Sequence, residues 1–456
     1  MWRGCAACVL LAAAGVCTRS HPKDGRPDVA IVYAADLRGA VASPAHAAGG
    51  LPRRATLVDR GRLAAHAIVQ VDAGDLAPLA EDDPDLADPA AREARAHLAL
   101  RAYQRMGVDA VTVGERELAL GAARWRDLCK DAKVPVVAAN LVGADGKPLF
   151  PATRIIHAGE VAVGVFGVLD LAGEAWNPPP GVTVTDPWAA ARAAVRSLRA
   201  EGARVIVGLF HVAAGPAGSP ELAAAAADVD VVVFGHAGSA AAPRFVRSGA
   251  RGVDVGQLDV RVERRGPPHL DNHLVAATPD VPEQLGVRLL WRVSSAPIAA
   301  TFTESVAAMS KALGTRTFGE NWTYAATELC AGCHATQAAQ WKTTEHAEAF
   351  ATLELAGKDH DPSCMGCHMT GFLLPGGVQN FESAPQFVNV GCEACHGPSG
   401  AHVASMDKRK GTSRAVDATI CLGCHTPDQN SGAFEVAAAM KRIIGPGHGA
   451  PPAPAK

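Results

Sequence analysis

Short runs of β-branched and other apolar residues alternate with longer amphipathic stretches from residue 27 to residue 265. Short apolar runs are typical of buried strands, and amphipathic stretches with helical spacing are typical of surface helices. Their alternation predicts an α/β fold in which helices cover a sheet. The predicted strands span residues 29–34, 67–71, 110–113, 134–138, 161–168, 205–209 and 229–234.

Three helices are predicted within this region, and one of them has clear start and stop signals. Asp186 can cap this helix, Pro187 fits its first position, and Gly202 follows its last turn. Two more helices are predicted over residues 91–106 and 121–132. After residue 265 the pattern weakens and prolines accumulate, so a linker is predicted there, with one helix over residues 303–313.

The last third of the chain has a different pattern, in which cysteine and histidine recur together. Four Cys-x-x-Cys-His segments occur there. A zinc site or a redox dithiol also uses paired cysteines, but neither needs a histidine directly after every pair. The repeated histidine predicts covalent c-type haem, in which two thiols form thioethers and the imidazole binds the iron. The predicted attachment residues are Cys330, Cys333, His334, Cys364, Cys367, His368, Cys392, Cys395, His396, Cys421, Cys424 and His425.

Four further histidines in this segment are predicted to complete the iron sites. Low-spin haem has two axial ligands, so four haems and four spare histidines predict bis-histidine ligation throughout. Alternatively, His448 is a solvated residue of a Gly- and Pro-rich tail, which would leave one haem open. His269 and His273 are interpreted as solvated linker histidines, either of which could then bind that haem. The predicted distal ligands are His346, His360, His402 and His448.

Three stretches of this segment, residues 341–347, 360–368 and 392–402, resemble the cytochrome c554 type of multihaem cytochrome. The resemblance covers residues 327–430 and implies a mostly helical, loop-rich domain in which stacked haem pairs relay electrons. The family's namesake keeps one haem five-coordinate, so an open iron remains an alternative. By resemblance, distal-ligand positions fall on His346, His360 and His402.

Polar residues follow several predicted strands of the first region, at or just after the end of an apolar run. Ligand sites in open α/β sheets form at the carboxyl ends of strands, so these residues are candidates for one shared site. Asn140 and Asp170 are interpreted as ordinary loop starters. The remaining candidates are Asp36, Asp75, Glu115, His211 and His236.

The motifs around these candidates resemble the 5'-nucleotidase branch of the calcineurin-like metallophosphoesterases. The resemblance spans residues 28–262 and implies an α/β sandwich with α-β-β-α layers and a two-metal site that hydrolyses phosphate esters. The pattern is incomplete, because Arg38, Arg116 and Gly238 stand where the family has histidines, and Glu115 replaces an asparagine. The change at Arg116 removes the proton donor to the leaving group.

The remaining ligands predict one metal site rather than two. The first site would keep only Asp36 and Asp75 and is expected to be empty. The second keeps two carboxylates and two imidazoles, a set that suits one Zn, Mn or Fe ion. The guanidinium groups of Arg38 and Arg116 could still bind a phosphate-like anion. The ligands predicted for the second site are Asp75, Glu115, His211 and His236.

Length and cysteine placement predict several regions in this chain of 456 residues. Residues 1–20 are interpreted as a secretory signal, 27–265 as a degenerate phosphoesterase-like domain, 266–326 as a linker and 327–456 as a tetrahaem domain. Export to the periplasm or the outer surface fits c-type haem, and no segment of the mature chain is predicted to cross a membrane. Cys17 could carry a lipid, although the residue before it does not suit such a site.

Two classes of function remain open on the sequence alone. The preferred hypothesis is an exported electron carrier whose redox partners are other cytochromes or a reductase. Its phosphoesterase-like domain would be catalytically impaired and would serve as a scaffold, or as a dock for a partner or an anion. The alternative is a redox-linked enzyme: a single-metal phosphoesterase or nucleotidase, or a reductase of a small nitrogen or sulfur oxyanion at an open haem. A net charge of -3 argues against nucleic acid as a partner.

Overall fold

The computed structural model describes most of the chain between residues 24 and 448. The predicted signal, Cys17, the predicted helix at 303–313, Gly238 and His360 lie outside the described residues. The described residues are 24–44, 46–213, 220–236, 243–263, 265–288, 290, 324–356, 358–359, 361–374, 376–378, 384–405, 415–430 and 434–448.

The first region is built from strands and helices in alternation, as the pattern predicts. Its strands are β1 (Val29–Ala34), β2 (Ile68–Asp72), β3 (Ala110–Val111), β4 (Leu141–Gly143), β5 (Thr153–Ala158), β6 (Val161–Asp170), β7 (Val182–Val184), β8 (Val205–Val212), β9 (Val231–His236), β10 (Phe245–Val246), β11 (Asp254–Arg261) and β12 (His269–Ala276). Its helices are α1 (Leu51–Ala64), α2 (Pro89–Met106), α3 (Glu115–Ala119), α4 (Ala122–Asp131), α5 (Pro187–Ala200) and α6 (Pro220–Ala225).

Two five-stranded sheets pack face to face, with helices on both outer sides. One sheet has the order β12-β11-β1-β2-β3 and the other β10-β9-β8-β6-β5, while β4 and β7 form a separate pair. Valine and isoleucine side chains such as Ile31, Val163 and Val207 fill the space between the two sheets. Apolar faces of α1, α2 and α4 cover the first sheet, and α5 and α6 cover the second. The predicted α-β-β-α sandwich is confirmed.

The helix α5 begins and ends where its sequence signals predict. The Asp186 carboxylate accepts hydrogen bonds from the backbone N–H groups of Trp188 and Ala189, and Pro187 is the first helical residue. Gly202, just after the last turn, has a φ of 92°, which glycine adopts without strain. The capping group and the permissive glycine therefore fix both ends of this helix.

Two predictions for the first region are wrong. Residues 134–138 do not form a strand, and only Val136 bridges to Val111, because Pro135 lacks the N–H that a sheet ladder needs. The predicted linker begins too early, since β12 pairs antiparallel with β11 along its whole length. His269 and His273 therefore lie on an exposed edge strand and not in a linker.

The C-terminal part consists of short helices joined by loops. A small core around Phe350, Leu353 and Met365 supports them. The last helix contains a break at Gly445, where φ is 50°. These helices are α7 (Thr327–Cys333), α8 (Ala335–Trp341), α9 (Ala349–Ala356), α10 (Pro362–His368), α11 (Cys392–His396), α12 (Gly400–Ser405), α13 (Thr419–Leu422) and α14 (Val436–His448).

A buried carboxylate ties the start of this part to its third cysteine motif. Glu393 is almost fully buried and accepts hydrogen bonds from the backbone N–H groups of Ala325, Ala326 and Ser399 at 2.7–3.0 Å. Burial raises the pKa of Glu393, although these hydrogen bonds oppose the shift.

Among the described residues, no helix is long and apolar enough to cross a membrane.

Candidate functional site

Four predicted metal ligands converge at the carboxyl ends of the strands. Asp75 follows β2, Glu115 opens α3, His211 lies near the end of β8, and His236 ends β9. One potential ligand atom from each lies within 4.8 Å of the other three. Two carboxylates and two imidazoles are a donor set that suits a divalent transition metal. The residues present therefore fit one such ion.

His211 is held with one ring nitrogen directed at this cluster. Its Nδ1–H donates to the Ala73 carbonyl at 2.7 Å, which assigns Nε2 as the nitrogen that faces the carboxylates. Nε2 lies 2.8 Å from Glu115 Oε2 and 3.5 Å from Asp75 Oδ1. A backbone carbonyl that orients the distal ring nitrogen is a common support for metal-binding histidines.

His236 is positioned by two glutamates. Its Nδ1 lies 3.2 Å from Glu115 Oε1, and its Nε2 lies 2.9 Å from Glu174 Oε1. Sequence reasoning missed Glu174, because this residue lies in a loop with no motif and is 62 positions from His236. Glu174 can fix the ring orientation of His236 in the way that carboxylates support histidine ligands elsewhere.

Glycines leave the space that the cluster occupies. A Cβ atom on Gly114 would lie 2.3 Å from Asp75 Oδ1 and 2.8 Å from His211 Nε2, and one on Gly235 would lie 2.6 Å from His211 Nδ1. All three distances are too short for a side chain. The backbone of Asp75 and His236 is itself in the left-handed region, with φ of 57° and 63°. Such strain in non-glycine residues is concentrated at functional sites.

Glu117 holds together the loops that carry the ligands. Its fully buried carboxylate accepts hydrogen bonds from the backbone N–H groups of Asp75, Ala77 and Gly114 at 2.9, 2.8 and 2.7 Å. Glu117 follows Glu115 and Arg116 in the sequence, but only the structure reveals its partners. Glu117 therefore fixes the position of Asp75 relative to α3.

Asp36 lies outside the four-residue cluster and faces arginines. Its Oδ1 accepts a hydrogen bond from the His236 backbone N–H at 3.1 Å. Its Oδ2 lies 3.5 Å from Arg247 Nη2, and its Oδ1 lies 4.0 Å from Arg38 Nη2. Guanidinium charge thus surrounds the carboxylate predicted for the first metal site.

Arg116 is already paired with carboxylates. Its Nε lies 3.2 Å from Asp75 Oδ2, and its Nη1 donates to Asp82. A third carboxylate, Glu81, lies 3.6 Å from Nη2. This pairing neutralises the guanidinium, so Arg116 is poorly suited to bind an anion.

The charges of the cluster favour a cation. Burial alone would lower the pKa of His211, but Asp75 and Glu115 outweigh it and raise that pKa to about 10. Burial also acts to raise the pKa of Glu115, but hydrogen bonds from His211 and His236 outweigh burial and lower it. The anionic groups therefore hold a proton on the imidazole, and a metal ion could take the place of that positive charge.

The four cysteine motifs lie on or beside α7, α10, α11 and α13, and three of their histidines face a spare histidine. The rings of His334 and His402 have centroids 6.5 Å apart, and those of His346 and His425 lie 6.1 Å apart. Metal–imidazole bonds are about 2 Å long, so two imidazoles on opposite sides of one iron have centres roughly 6 Å apart. Both pairs therefore fit a shared iron.

His448 belongs to a third pair. Its ring is nearly parallel to that of His396, with an interplanar angle of 7° and centroids 5.9 Å apart. Its Nδ1 is buried and has no hydrogen-bond partner in the described part of the chain. Buried polar atoms normally have partners, so this nitrogen fits a site that a metal completes.

The histidine of the second motif is oriented differently. His368 Nδ1 lies 2.6 Å from the Ala349 carbonyl, to which it can donate, and this leaves Nε2 for an iron. His360, the remaining spare histidine, lies outside the described residues. The structure therefore supplies a proximal nitrogen for this motif and does not test its distal ligand.

Cysteines of different motifs lie in pairs. The thiols of Cys330 and Cys392 are close enough to shift each other's pKa, and so are those of Cys367 and Cys424. The first motif is thus adjacent to the third, and the second to the fourth. Groups attached at these cysteines would be held as two close pairs.

The C-terminal segment matches known cytochromes. Residues 329–397 match the family model described as cytochrome c554 and c-prime. Cytochrome c-554 from Nitrosomonas europaea is 38% identical over 84 residues, which cover 15% of this chain and 36% of that relative. Because little more than a third of the relative is matched, the similarity concerns this segment and not a whole protein.

The first region has known structural neighbours. The sulfate thiohydrolase SoxB from Thermus thermophilus aligns with a TM-score of 0.50 at 19% identity, covering 60% of this chain and 61% of that chain. The calcineurin-like phosphoesterase YfkN from Bacillus subtilis aligns with a TM-score of 0.50 at 19% identity, covering 59% of this chain and 97% of that chain. At these identities the likeness concerns the fold. The protein thus combines a segment that carries the cytochrome c554 signature with a domain of the calcineurin-like phosphoesterase fold.

Proposed function

We propose that this protein is an exported electron carrier with four covalent haems. The observation that carries the proposal is the set of three histidine pairs with ring centroids 5.9–6.5 Å apart. Three independent pairs at the spacing of axial ligands are difficult to explain by packing alone. When bound, haem supplies one-electron exchange between its ferric and ferrous states.

The histidine pairs support a distal ligand for each of three haems. His402 would serve the haem of His334, His346 that of His425, and His448 that of His396. His360 lies only four residues before Cys364 and is unsuited to the haem that it precedes, so the haem of His368 keeps no assigned distal ligand. The adjacent thiols of different motifs favour two close haem pairs, which is an arrangement suited to rapid electron exchange between neighbours.

The phosphoesterase-like domain would hold one divalent ion, Zn, Mn or Fe, through Asp75, Glu115, His211 and His236. A second ion is disfavoured, because the guanidinium groups around Asp36 supply the positive charge there. The lost histidine at Arg116 and its pairing with Asp75 disfavour phosphate-ester hydrolysis. We therefore assign this domain a scaffold or docking role, with Arg38 as the side chain left for a phosphate-like anion.

A count of haem and a change of iron spin test the electron-carrier proposal. The full chain, matured in a host that attaches c-type haem, should give four haems per protein by the pyridine haemochrome assay. His402→Ala should convert one haem from low to high spin in the electron paramagnetic resonance spectrum. His97→Ala, at a partly exposed histidine of α2, is the matched control. Fewer than four haems, or an unchanged spin state in His402→Ala, would contradict the assignment.

The second candidate function is a single-metal phosphoesterase, and the intact four-ligand cluster favours it. Metal analysis of the haem-loaded protein should find one metal beyond four irons, and His236→Ala should lose it. Hydrolysis of bis-p-nitrophenyl phosphate that needs added Mn²⁺ and vanishes in His211→Ala would establish enzyme activity. Activity that survives His211→Ala would belong to another site.

A further inference from the structure

The phosphoesterase-like domain and the haem segment meet along α2 and the loop that follows α13. A Cβ atom on Gly107 would lie 2.9 Å from Pro427 Cγ, so the two parts approach closely. The side-chain amide of Gln284 donates to the Leu422 carbonyl at 2.9 Å, and the Gly286 N–H donates to the Gly423 carbonyl at 3.0 Å. The Gln284 backbone N–H in turn donates to the Pro52 carbonyl of α1 at 2.9 Å, so these contacts anchor the fourth cysteine motif to the first domain.

A buried ion pair lies within this contact. Arg105, on the last turn of α2, has its Nε 3.9 Å from Asp428 Oδ2, and the two side chains are 8% and 7% exposed. Arg105 Nε and Asp428 Oδ1 have no hydrogen-bond partners within the described residues. Buried charges with unsatisfied atoms are costly, and their retention calls for a reason beyond stability.

The guanidinium of Arg105 also lies beside the haem-attachment motifs. A Cβ atom on Gly286 would lie 3.3 Å from Arg105 Nη1 and 2.8 Å from the carbonyl oxygen of Gly423, which belongs to the fourth motif. The neighbouring Cys424 thiol and Arg105 act to lower the pKa of the Cys367 thiol, and burial and Asp428 oppose them. Asp428 follows the His425 ligand by three residues. One positive and one negative charge, buried in a medium of low dielectric constant, therefore lie beside the second and fourth motifs.

We propose that Arg105 and Asp428 set the reduction potentials of the haems attached at Cys364/Cys367 and Cys421/Cys424. This inference rests on the proposed electron-carrier function. Reduction adds one electron to the iron, so a nearby cation stabilises the reduced state and a nearby anion stabilises the oxidised state. The phosphoesterase-like domain thereby places the charge of Arg105 beside a redox centre of the haem segment. The sequence motifs of that domain do not indicate this contribution.

The two charges predict shifts of opposite sign. Arg105→Gln leaves the buried Asp428 carboxylate uncompensated, so the potentials of these two haems should fall. Asp428→Asn leaves Arg105 uncompensated, so the same potentials should rise. A tenfold change in the reduction equilibrium corresponds to about 59 mV for one electron, and we expect a shift of at least that size in each variant. The double variant should return towards the wild-type values.

The test is a potentiometric titration of the full-length, haem-loaded protein, resolved into its separate haem components. Arg105→Lys keeps the charge and should stay near the wild-type values, which distinguishes charge from packing. Arg101→Gln, at an exposed position of the same helix, is the matched control. The other two haems should shift much less than the affected pair.

Shifts of the same sign in both single variants, or unchanged potentials in both, would overturn the proposal. Equal shifts of all four haems would also overturn it, because they would report a loosened domain contact. If Arg105→Gln fails to fold, Asp428→Asn alone still tests the sign of the effect. A wild-type protein without four haems would instead contradict the electron-carrier function, so the two failures are distinguishable.

Discussion

Replacing Glu117 by glutamine should destabilise the phosphoesterase-like domain and weaken its metal cluster. The carboxylate accepts three backbone hydrogen bonds in a fully buried position. A glutamine side chain can place only one oxygen there, so its NH2 group faces at least one backbone N–H. A buried donor left without an acceptor costs about 1–3 kcal/mol. We expect Glu117→Gln to lower the free energy of unfolding by about 2–3 kcal/mol.

Urea denaturation followed by tryptophan fluorescence measures this change, because Trp125 is fully buried in the same domain. Glu263→Gln, at an exposed glutamate of this domain, should stay within about 0.5 kcal/mol of the wild type. Metal occupancy should fall in Glu117→Gln, since the loops that carry Asp75 and Glu115 lose their common acceptor. A stability equal to that of the control would refute the role assigned to Glu117.

Three further predictions follow from buried groups. Burial raises the pKa of Asp59 to about 6, so its ionised form costs about 3 kcal/mol at neutral pH, and wild-type stability should rise as pH falls from about 7 to 4. Asp59→Asn should stabilise the protein at pH 7 and flatten part of that dependence, because other buried carboxyl groups with raised pKa values, such as Asp109 and Glu393, remain. Denaturation at pH 7 and 4.5 measures the change in stability of each protein, and an equal change in the two proteins would contradict this prediction. Gly114→Ala puts a methyl group 2.3 Å from a carboxylate oxygen of the cluster, so metal analysis should find the divalent ion lost with haem content unchanged. Glu393→Gln removes an acceptor from buried N–H groups and should destabilise the haem segment by about 1–3 kcal/mol. Denaturation followed by absorbance at the Soret band measures this change. Glu328→Gln, at an exposed glutamate, should leave the stability of the segment unchanged.

The architecture of the first region was largely predictable, because buried strands there are continuous apolar runs. The pattern failed at β11 and β12, where charged and polar residues alternate with apolar ones. Asp259 and Arg261 lie within β11, and a search for long apolar runs passes over such a strand. A short stretch of sequence does not show whether its strand lies in the centre or at the edge of a sheet. That position decides how many faces of the strand are buried.

The candidate sites show the same division between local and distant information. Cysteine attachment motifs are contiguous, so the sequence alone identifies them. The juxtaposition of His334 with His402 depends on how the chain folds between them, and spacing could not predict it. Glu174 supports His236 from a loop without any motif, so only the folded structure assigns it a role.

The cross-motif thiol pairs have a consequence for biogenesis. Before any cofactor is attached, Cys330 would lie beside Cys392, and Cys367 beside Cys424, if the chain folded first. In an oxidising compartment such neighbours can form disulfides, which would remove the thiols that haem attachment requires. Folding ahead of maturation would therefore trap a dead-end product. We therefore expect that the chain must stay reduced and loosely folded until its eight haem-attachment cysteines have reacted.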